Sequence, residues 1–348
     1  MKLGFVINDV RTEEPAYTTV RLAMAAHNLG HEVSLLGVAD FIYEPNGSVH
    51  AMASRARRRK YRSGEHFMAE LQQEEAHQDR ITIDDLDVLM LRNDPAEDAA
   101  TRPWAQHAGI LFGQLAIERG VTVLNDPIHL AHALDKTYFQ HFPEEARPAT
   151  CITRDAKSIR RFVDEHEGRA VLKPLQGSGG HNVFLIRPGD EANINQMIEA
   201  VVRDGYAIVQ EYLSAAREGD MRLLVMNGHP LQVEGTYAAF RRVSKKGDAR
   251  SNVKAGGTTE PAEPDKRALQ LVDVVRPKLV QDGMYFVGLD IVGDKLMEIN
   301  VFSPGGIGVV ERHTGLNFAD AVIADLERKI RTRGNCGPRL SNVQLATL

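Results

Sequence analysis

Two acidic residues and one amide interrupt apolar stretches near residue 290, and together they could bind a metal ion. Asp290 lies in the run 287–292, and Glu298 and Asn300 lie in the run 296–300. Residues two apart share one face of a strand, so Glu298 and Asn300 are predicted to point the same way. Carboxylate and amide oxygens suit Mg²⁺, and no His or Cys accompanies them. The pattern therefore predicts a magnesium site.

The turn between these two runs decides whether Asp290 joins that site. A two-residue turn at Gly293 and Asp294 would put Asp290 on the opposite face of the sheet. A three-residue loop that includes Val292 would bring Asp290 across from Glu298, and this is the loop we predict. The alternative, acids on a solvated sheet face, does not explain why they interrupt such apolar strands.

A lysine followed by a glycine-rich segment forms a second candidate site. Lys173 ends a predicted strand, and the bare backbone after it could wrap phosphate groups. An ordinary hairpin turn is the alternative, since residues 182–187 are predicted to return as a strand. No helix follows, which excludes the P-loop and the dinucleotide fingerprint. The segment comprises Gly177, Ser178, Gly179 and Gly180.

Polar residues between these two sites could bind the rest of a nucleotide and a second anion. A predicted strand ends at Gln210, Glu211, Tyr212 and Leu213, where the main chain of a hinge can contact adenine; simple core packing is the reading favoured for this segment taken alone. Arginine binds carboxylate and phosphate through paired hydrogen bonds. A surface charge explains any single arginine, but the location of the set favours an acyl-phosphate clamp. The set is Arg222, Arg242, Arg250 and Asn252.

The elements that must position these residues begin with an α/β domain. Strands are predicted over 2–8, 31–37 and 86–91, and the last is apolar enough to be buried on both faces. It ends at Arg92 and Asp94, and polar groups at the carboxyl end of such a strand are well placed to meet a ligand. Further helices are predicted over 16–29, 101–120 and 128–142, and the last carries Lys136.

The later elements predict α+β structure. A small lid is expected from strands over 170–175, 182–187 and 206–212 with two helices. An antiparallel sheet is expected from 221–226, 231–240 and 285–301, with a helix over 265–281 that Pro277 should bend or end early. Two regions are predicted to be irregular: an exposed hairpin or loop over 51–80, with its basic run 55–62, and a frayed tail over 331–348.

Composition narrows the classes of function and location. The net charge is −5, which argues against a nucleic-acid partner. No run reaches the roughly 20 apolar residues of a membrane span, and the first residues predict a strand rather than a signal peptide. Cys151 and Cys336 have no neighbours at metal-ligand spacing and fit a reducing compartment. The cytoplasm is the expected location.

The order of these motifs resembles the ATP-grasp superfamily and, within it, the bacterial glutathione synthetase family. The resemblance runs from residue 1 to about 330. It is carried by Leu91-Arg92-Asn93-Asp94-Pro95, Asp135-Lys136, Leu172-Lys173-Pro174, Gly177 to Gly180, Asp220-Met221-Arg222, Arg250-Ser251-Asn252, Ala255-Gly256-Gly257, Gly288-Leu289-Asp290-Ile291 and Glu298-Ile299-Asn300-Val301.

The resemblance implies an ATP-grasp fold and an ATP-dependent carboxylate–amine ligase that joins γ-glutamylcysteine to glycine through an acyl-phosphate. It implies an N-terminal parallel-sheet domain (1–126), a lid (127–212), a C-terminal antiparallel-sheet domain (213–330) and a flexible tail (331–348). Small-molecule substrates, ATP, two Mg²⁺ ions with Mn²⁺ as an alternative, and a homodimer or homotetramer are expected.

The resemblance also implies a role for each candidate residue. Lys136 and Lys173 would bind phosphates under a lid formed by Gly177 to Gly180, with Glu211, Tyr212 and Leu213 at the adenine. Asp290, Glu298 and Asn300 would hold magnesium. The reacting groups would meet Arg222, Arg242 and Asn252, and the remaining substrate contacts would be Arg92, Asp94, Arg250, Ser303, Gly305 and Gly306.

One loop departs from the family pattern. Glutathione synthetases typically follow Glu-Ile-Asn-Val with Thr-Ser-Pro-Thr, whereas this chain has Phe302-Ser303-Pro304-Gly305-Gly306. The loop helps to receive glycine in the family, and a glycine-richer loop could admit a larger amine. Two alternatives therefore stay open: a related ligase with another acceptor, and a non-catalytic ATP-binding module.

Overall fold

The computed structural model describes residues 1–76, 79–176, 182–190, 192–203, 205–243 and 257–348. Its three largest sheets have four, four and six strands. The first is parallel and the other two are antiparallel, which confirms the predicted α/β and α+β class. No helix in these residues is long and apolar enough to cross a membrane.

The N-terminal part is built on the parallel sheet, whose strand order is β2-β1-β6-β7. Its strands are almost wholly buried, which explains their unbroken apolar runs. Its elements are β1 (Lys2–Ile7), α1 (Thr18–Asn28), β2 (Glu32–Gly37), β3 (Phe41–Tyr43), β4 (Val49–Ala53), α2 (Gly64–Leu71), β5 (Asp79–Thr82), β6 (Val88–Leu91), α3 (Pro95–Asp98), α4 (Ala108–Glu118) and β7 (Thr122–Leu124).

The middle part is a four-stranded antiparallel sheet of order β10-β9-β11-β8 with two helices. The helices bury Ile159, Phe162 and Ile198 against it. Strands β9 and β10 flank the glycine-rich segment and pair antiparallel, as predicted. The elements are α5 (Pro127–Leu130), β8 (Thr150–Thr153), α6 (Ala156–Glu165), β9 (Ala170–Pro174), β10 (Phe184–Ile186), α7 (Ile194–Val202) and β11 (Ala207–Glu211).

The C-terminal part contains the six-stranded sheet, in which β17-β16-β12-β18-β19 run in order and β13 pairs with β12. The predicted strand over 231–240 is broken into shorter pieces around the turn at Gly235. The elements are β12 (Asp220–Met226), β13 (His229–Pro230), β14 (Gln232–Val233), β15 (Thr236–Tyr237), β16 (Ala239–Val243), β17 (Thr258–Pro261), α8 (Lys266–Gln281), β18 (Phe286–Val292), β19 (Lys295–Asn300), α9 (Ile307–Thr314), α10 (Phe318–Cys336) and α11 (Asn342–Thr347).

Apolar packing joins the first and last parts, together with the segment before β8 that holds Leu130, Tyr138 and Phe142. Two large clusters each combine side chains from the parallel sheet and the six-stranded sheet, such as Leu89 with Leu289 and Phe5 with Phe286. The four-stranded sheet has its own cluster. Asn125 adds hydrogen bonds between the parallel sheet and the six-stranded sheet, because its side chain bonds the main chain of Phe286 and Val301.

The β18–β19 hairpin reaches the predicted pairing by a different route. Asp290 lies opposite Glu298, as predicted, but Val292 pairs with Lys295, so the turn has two residues and the predicted three-residue loop is wrong. Met297 is an extra residue in β19, since Ile291 pairs with Leu296 and Asp290 with Glu298. This β-bulge restores the alternation that the short turn would have reversed.

The predicted flexible tail over 331–348 is wrong. Helix α10 continues to Cys336, and α11 begins with a capping box of Ser341 and Gln344. Leu345 and Ala346 are buried. A six-residue helix that buries two side chains is too short to show a period, which explains why the sequence pattern missed it.

Three other predictions need correction. The helix predicted over 128–142 stops at Leu130, and Asp135 caps a separate 3₁₀ segment, Lys136–His141. The supposed loop over 51–80 contains β4, α2 and β5, although its basic residues 57–60 are exposed. Helix α8 runs through Pro277 to Gln281, because Val275 and Leu279 bury its apolar face on both sides of the proline.

Candidate active site

One cleft collects predicted residues from five separate parts of the chain. It lies where the loop after β6, the Lys136–His141 segment, β9, β11 and β19 meet. Parts of the chain up to about two hundred residues apart thus supply neighbouring side chains. The cleft is lined by Asp94, Lys136, Lys173, Gln210, Glu298, Asn300 and Ser303, among others.

Two half-buried lysines make the cleft positively charged. Lys173 Nζ donates to Gln210 Oε1 at 3.1 Å, and Gln210 Nε2 donates to Thr150 Oγ1 at 3.1 Å. Burial lowers the pKa of Lys173 to about 8, with Lys136 adding to this effect and Glu298 opposing it. Burial also lowers the pKa of Lys136, against the charges of Glu298, Asp94 and Asp135.

A buried phenol anchors the segment that carries Lys136. The Tyr138 hydroxyl donates to Asp282 at 2.7 Å, and Lys278 contacts the same carboxylate at 2.8 Å. Burial raises the pKa of Tyr138, and the Asp282 charge raises it further. The hydroxyl therefore stays protonated and keeps donating. This fixes the segment against the end of α8, and with it the position of Lys136.

The acidic face of β18 and β19 adds Glu298 and Asn300 to the cleft lining, and Asp290 on the same face is buried. Asp290 and Glu298 lie opposite each other, and the Asn300 side chain donates to Asp290 Oδ2 at 3.2 Å. All three predicted metal ligands therefore share one face. In the described part of the chain no three His, Cys, Asp or Glu residues are grouped for a metal. The set is two carboxylates and an amide, a donor chemistry that fits Mg²⁺.

Two arginines already neutralise Asp290. Arg222 binds both carboxylate oxygens, with Nη2 to Oδ2 at 2.9 Å, and Arg242 Nη2 lies 2.8 Å from Oδ2. Arg242 also binds Asp220 through Nε at 2.9 Å. We call these four residues the arginine–aspartate cluster. Burial alone would raise the pKa of Asp290, but the two guanidinium groups lower it to about 2.

Arg92 is a buried cation with no carboxylate bound to it among the described residues. It is 4% exposed, and it donates to Thr19 Oγ1 at 3.3 Å and to the Pro304 carbonyl at 2.9 Å. Burial lowers its pKa to about 10. A desolvated guanidinium that bonds only neutral groups is poised to accept an anionic ligand.

The crevice at the end of the parallel sheet also includes a residue that the sequence reasoning missed. Strand order reverses between β1 and β6, which makes their carboxyl ends a topological switch point. Asn8 follows β1 there, and its side chain bonds both the N–H and the C=O of Asp94 at 2.8 Å. A polar residue directly after the first strand was the available signal. The side-chain role of Gln210 was missed as well, because the segment that it begins is predicted to contact adenine through its main chain.

Some predicted residues are not brought into this cleft. Glu211, Tyr212 and Leu213 follow β11, but within the described chain it is Gln210 that lines the cleft from this segment. Gly305 and Gly306 lie next to the cleft in the loop after β19. Outside the described residues are Gly177, Ser178, Gly179, Gly180, Arg250 and Asn252.

Two family models match nearly the whole chain. Residues 1–130 match the N-terminal domain of prokaryotic glutathione synthetase, and residues 135–315 match the ATP-grasp domain of the same family. Among curated proteins, the glutathione synthetase of Synechocystis sp. is 31% identical over 334 residues, 94% of this chain and 100% of that protein. The glutathione synthetase of Gloeobacter violaceus is 33% identical, covering 93% of this chain and 95% of that protein.

Solved structures support the fold at lower identity. D-cycloserine synthetase DcsG superposes with a TM-score of 0.60 and 14% identity, covering 93% of this chain and 99% of that one. A RimK domain ATP-grasp protein from Sphaerobacter thermophilus gives a TM-score of 0.57 and 15% identity, covering 94% and 99%. The described architecture is therefore an ATP-grasp fold.

Proposed function

Because the chain belongs to the prokaryotic glutathione synthetase family, we propose that it joins γ-glutamylcysteine to glycine with hydrolysis of ATP. The observation that carries the proposal is the single cleft in which Lys136 and Lys173 face Glu298 and Asn300. Phosphoryl transfer requires that the cations binding the phosphates and the oxygen ligands binding the metal lie in one site.

The nucleotide is proposed to bind between the antiparallel four-stranded sheet, which carries Lys173, and the six-stranded sheet. Lys136 and Lys173 would bind its phosphates, and Gln210 would hold the Lys173 ammonium group in place. Gly177, Ser178, Gly179 and Gly180 would close over the phosphates, and Glu211, Tyr212 and Leu213 would contact the adenine. Closure would exclude water, which otherwise hydrolyses an acyl-phosphate.

Asp290, Glu298 and Asn300 would hold Mg²⁺. When bound, the ion neutralises negative charge on the transferred phosphoryl group. Two ions, and Mn²⁺ as a substitute, are part of the proposal. The described donors fit one ion directly, and Asp290 is already ionised because Arg222 and Arg242 stabilise its carboxylate.

The reaction is proposed to proceed in two steps. A carboxylate oxygen of the donor peptide attacks the γ-phosphorus of ATP, the bond to the bridging oxygen breaks, and ADP leaves. The amine of glycine then attacks the acyl carbon, inorganic phosphate leaves, the amine loses a proton, and an amide forms. Arg222, Arg242 and Asn252 would bind the acyl-phosphate through donated hydrogen bonds.

The remaining candidates would hold the substrates in position. Arg92 would bind a substrate carboxylate, because it is buried and its hydrogen bonds to described residues go to neutral groups. Asp94, beside Lys136, would meet a substrate amine. Arg250, Ser303, Gly305 and Gly306 would complete the acceptor side.

We propose that the chain is divided into three domains. The domain limits are 1–126, 127–212 and 213–330, with 127–212 as the moving lid. A homodimer or homotetramer in the cytoplasm, acting on small molecules without nucleic acid or membrane, completes the proposal. Light scattering on the purified protein measures the oligomeric state, and a monomer at micromolar concentration would contradict it.

The test of function is ADP release with ATP, Mg²⁺, γ-glutamylcysteine and glycine, with mass spectrometry of the product. Release that requires both substrates and yields glutathione is the expected result. Release without glycine at the same rate would indicate an ATPase, and absence of release with every donor and acceptor would contradict the ligase proposal.

A further inference from the structure

The loop after β19 is held rigidly by side chains from three other elements. Arg92 donates to the Pro304 carbonyl at 2.9 Å, and Arg222 Nη1 donates to the Gly305 carbonyl at 3.1 Å. Thr18 Oγ1 accepts from the N–H groups of Gly306 and Ile307 at 3.0 and 3.2 Å. Successive main-chain groups are thus fixed, so the shape of the loop does not depend on its own side chains.

The fold requires glycine at only one of the two glycine positions of this loop. Gly306 has φ of +130°, and a Cβ atom on it would lie 2.5 Å from Cε1 of Phe240. A side chain at this position is therefore excluded both by the backbone and by Phe240. Gly306 is explained by the fold alone.

Gly305 has no such explanation. Its φ lies outside the left-handed region, and no atom lies within 4 Å of the position of an added Cβ. A glycine in ordinary backbone geometry lowers stability relative to alanine. The residue is half-buried, in a loop that continues from Ser303 of the cleft lining, and the absence of a side chain leaves open space beside it.

Gly305 is linked to the proposed reacting groups through Arg222. Arg222 bonds the Gly305 carbonyl through Nη1 and Asp290 through Nη2 and Nε. Gly305 is therefore two hydrogen bonds away from a proposed metal ligand. An acceptor whose amine reaches the acyl carbon would place its α-carbon substituent near this loop.

We propose that the space beside Gly305 is part of the acceptor subsite and admits the side chain of an α-amino acid. The enzyme then acylates small amino acids that carry a side chain, the class of alanine and serine, as well as glycine. This inference rests on the ligase function proposed above.

The first test compares acceptors on the wild-type protein. We expect kcat/KM for L-alanine and L-serine to lie within about tenfold of the value for glycine, because an open space does not penalise an added methyl group. A preference for glycine above about a hundredfold would overturn the inference while leaving the ligase function intact. Absence of turnover with every acceptor would contradict the ligase function and the inference together.

The second test fills the space. In Gly305→Val the ratio of kcat/KM for alanine to that for glycine should fall at least tenfold. The matched control is Gly334→Val, a glycine of α10 that also has ordinary φ and open space but lies outside the cleft. Its ratio should match the wild type. If Gly305→Val does not fold by circular dichroism, Gly305→Ala gives the same comparison. An unchanged ratio in the folded variant would overturn the inference.

Discussion

Asp290 makes more contacts than a carboxylate can keep when it also binds a metal. Arg222 bonds both of its oxygens, and Arg242 and Asn300 bond Oδ2. A cation that approaches Oδ2 therefore competes with at least one arginine. Arg242 retains Asp220 if it is displaced, whereas Arg222 retains only the Gly305 carbonyl. Arg222 keeps no second carboxylate when it is displaced from Asp290. It is therefore the arginine of this cluster that would bind an anionic intermediate more readily.

The charge of Asp220 should matter for stability. In Asp220→Asn, Arg242 keeps one carboxylate instead of two, and a buried guanidinium loses part of its compensation. We expect a loss of about 2–3 kcal/mol in the free energy of unfolding, somewhat less than for a buried pair broken completely. Urea unfolding measures it. Asp294→Asn, in the exposed β18–β19 turn, is the control and should change the value by less than about 0.5 kcal/mol. A similar small change in Asp220→Asn would contradict this account.

Glu298 should matter for turnover and not for folding. It is half-buried and lies outside the apolar clusters. In Glu298→Ala we expect ADP release to fall at least a hundredfold, because one of two carboxylate ligands is lost, with the melting temperature within about 3 °C. Asp294→Ala removes an acid from the same hairpin and should keep full activity. Undiminished turnover in Glu298→Ala would refute the metal assignment.

At the scale of elements, the sequence predicts which face of a strand a side chain occupies better than it predicts the length of the turn between two strands. The spacing of Glu298 and Asn300 fixes their common face, because alternation along a strand is a local property. The bulge at Met297 is not predictable in this way, since it depends on how two strands settle against the rest of the sheet. The same limit hid α11, whose burial depends on α10 and β7.

Lys329 should make stability rise with pH. Its side chain is fully buried in α10, and Nζ donates to the Leu345 carbonyl at 2.8 Å. Burial lowers its pKa to about 8, against the opposing charge of Asp325. An unfolded lysine holds its proton to about pH 10.4, so the unfolded state binds more protons between the two values. Stability should therefore increase by about 2 kcal/mol between pH 8 and pH 9.5.

Chemical unfolding of the wild type and of Lys329→Met across this range measures the difference. The variant has no titrating group at this position, so its curve should lack the increase. Lys157→Met, on an exposed position of α6, should retain the wild-type slope. Parallel curves for wild type and Lys329→Met would show that Lys329 does not titrate with folding.

At the scale of the molecule, the cleft was predictable only through the resemblance. Local patterns identify Lys173 and Glu298 as separate candidates, but no spacing rule joins residues 94, 136, 173, 210 and 298. Their meeting depends on the packing of three sheets. Asn8 and Gln210 were missed because each acts by orienting a neighbour, Asp94 or Lys173, and carries no motif of its own.

The separate apolar cluster of the antiparallel four-stranded sheet predicts that this sheet opens independently of the other two. Ten buried apolar side chains form its core, whereas the parallel and six-stranded sheets share two larger clusters and the Asn125 links. A small independent core opens at lower free energy than a shared one. Amides of β8, β9 and β11 should therefore exchange with solvent faster than those of β1 and β18 in the free protein.

A bound nucleotide should reduce that difference. With a non-hydrolysable ATP analogue and Mg²⁺, hydrogen exchange followed by mass spectrometry should slow at least tenfold over residues 150–211, because the ligand joins Lys173 on this side to Glu298 on the other. Exchange in β1 and β18 should change by less than twofold and serves as the internal control. Lys173→Met should lose the protection in the lid while keeping the control values. Equal slowing in all three sheets would indicate that the ligand stabilises the whole molecule. It would contradict the prediction that the lid, with its separate core, opens and closes independently.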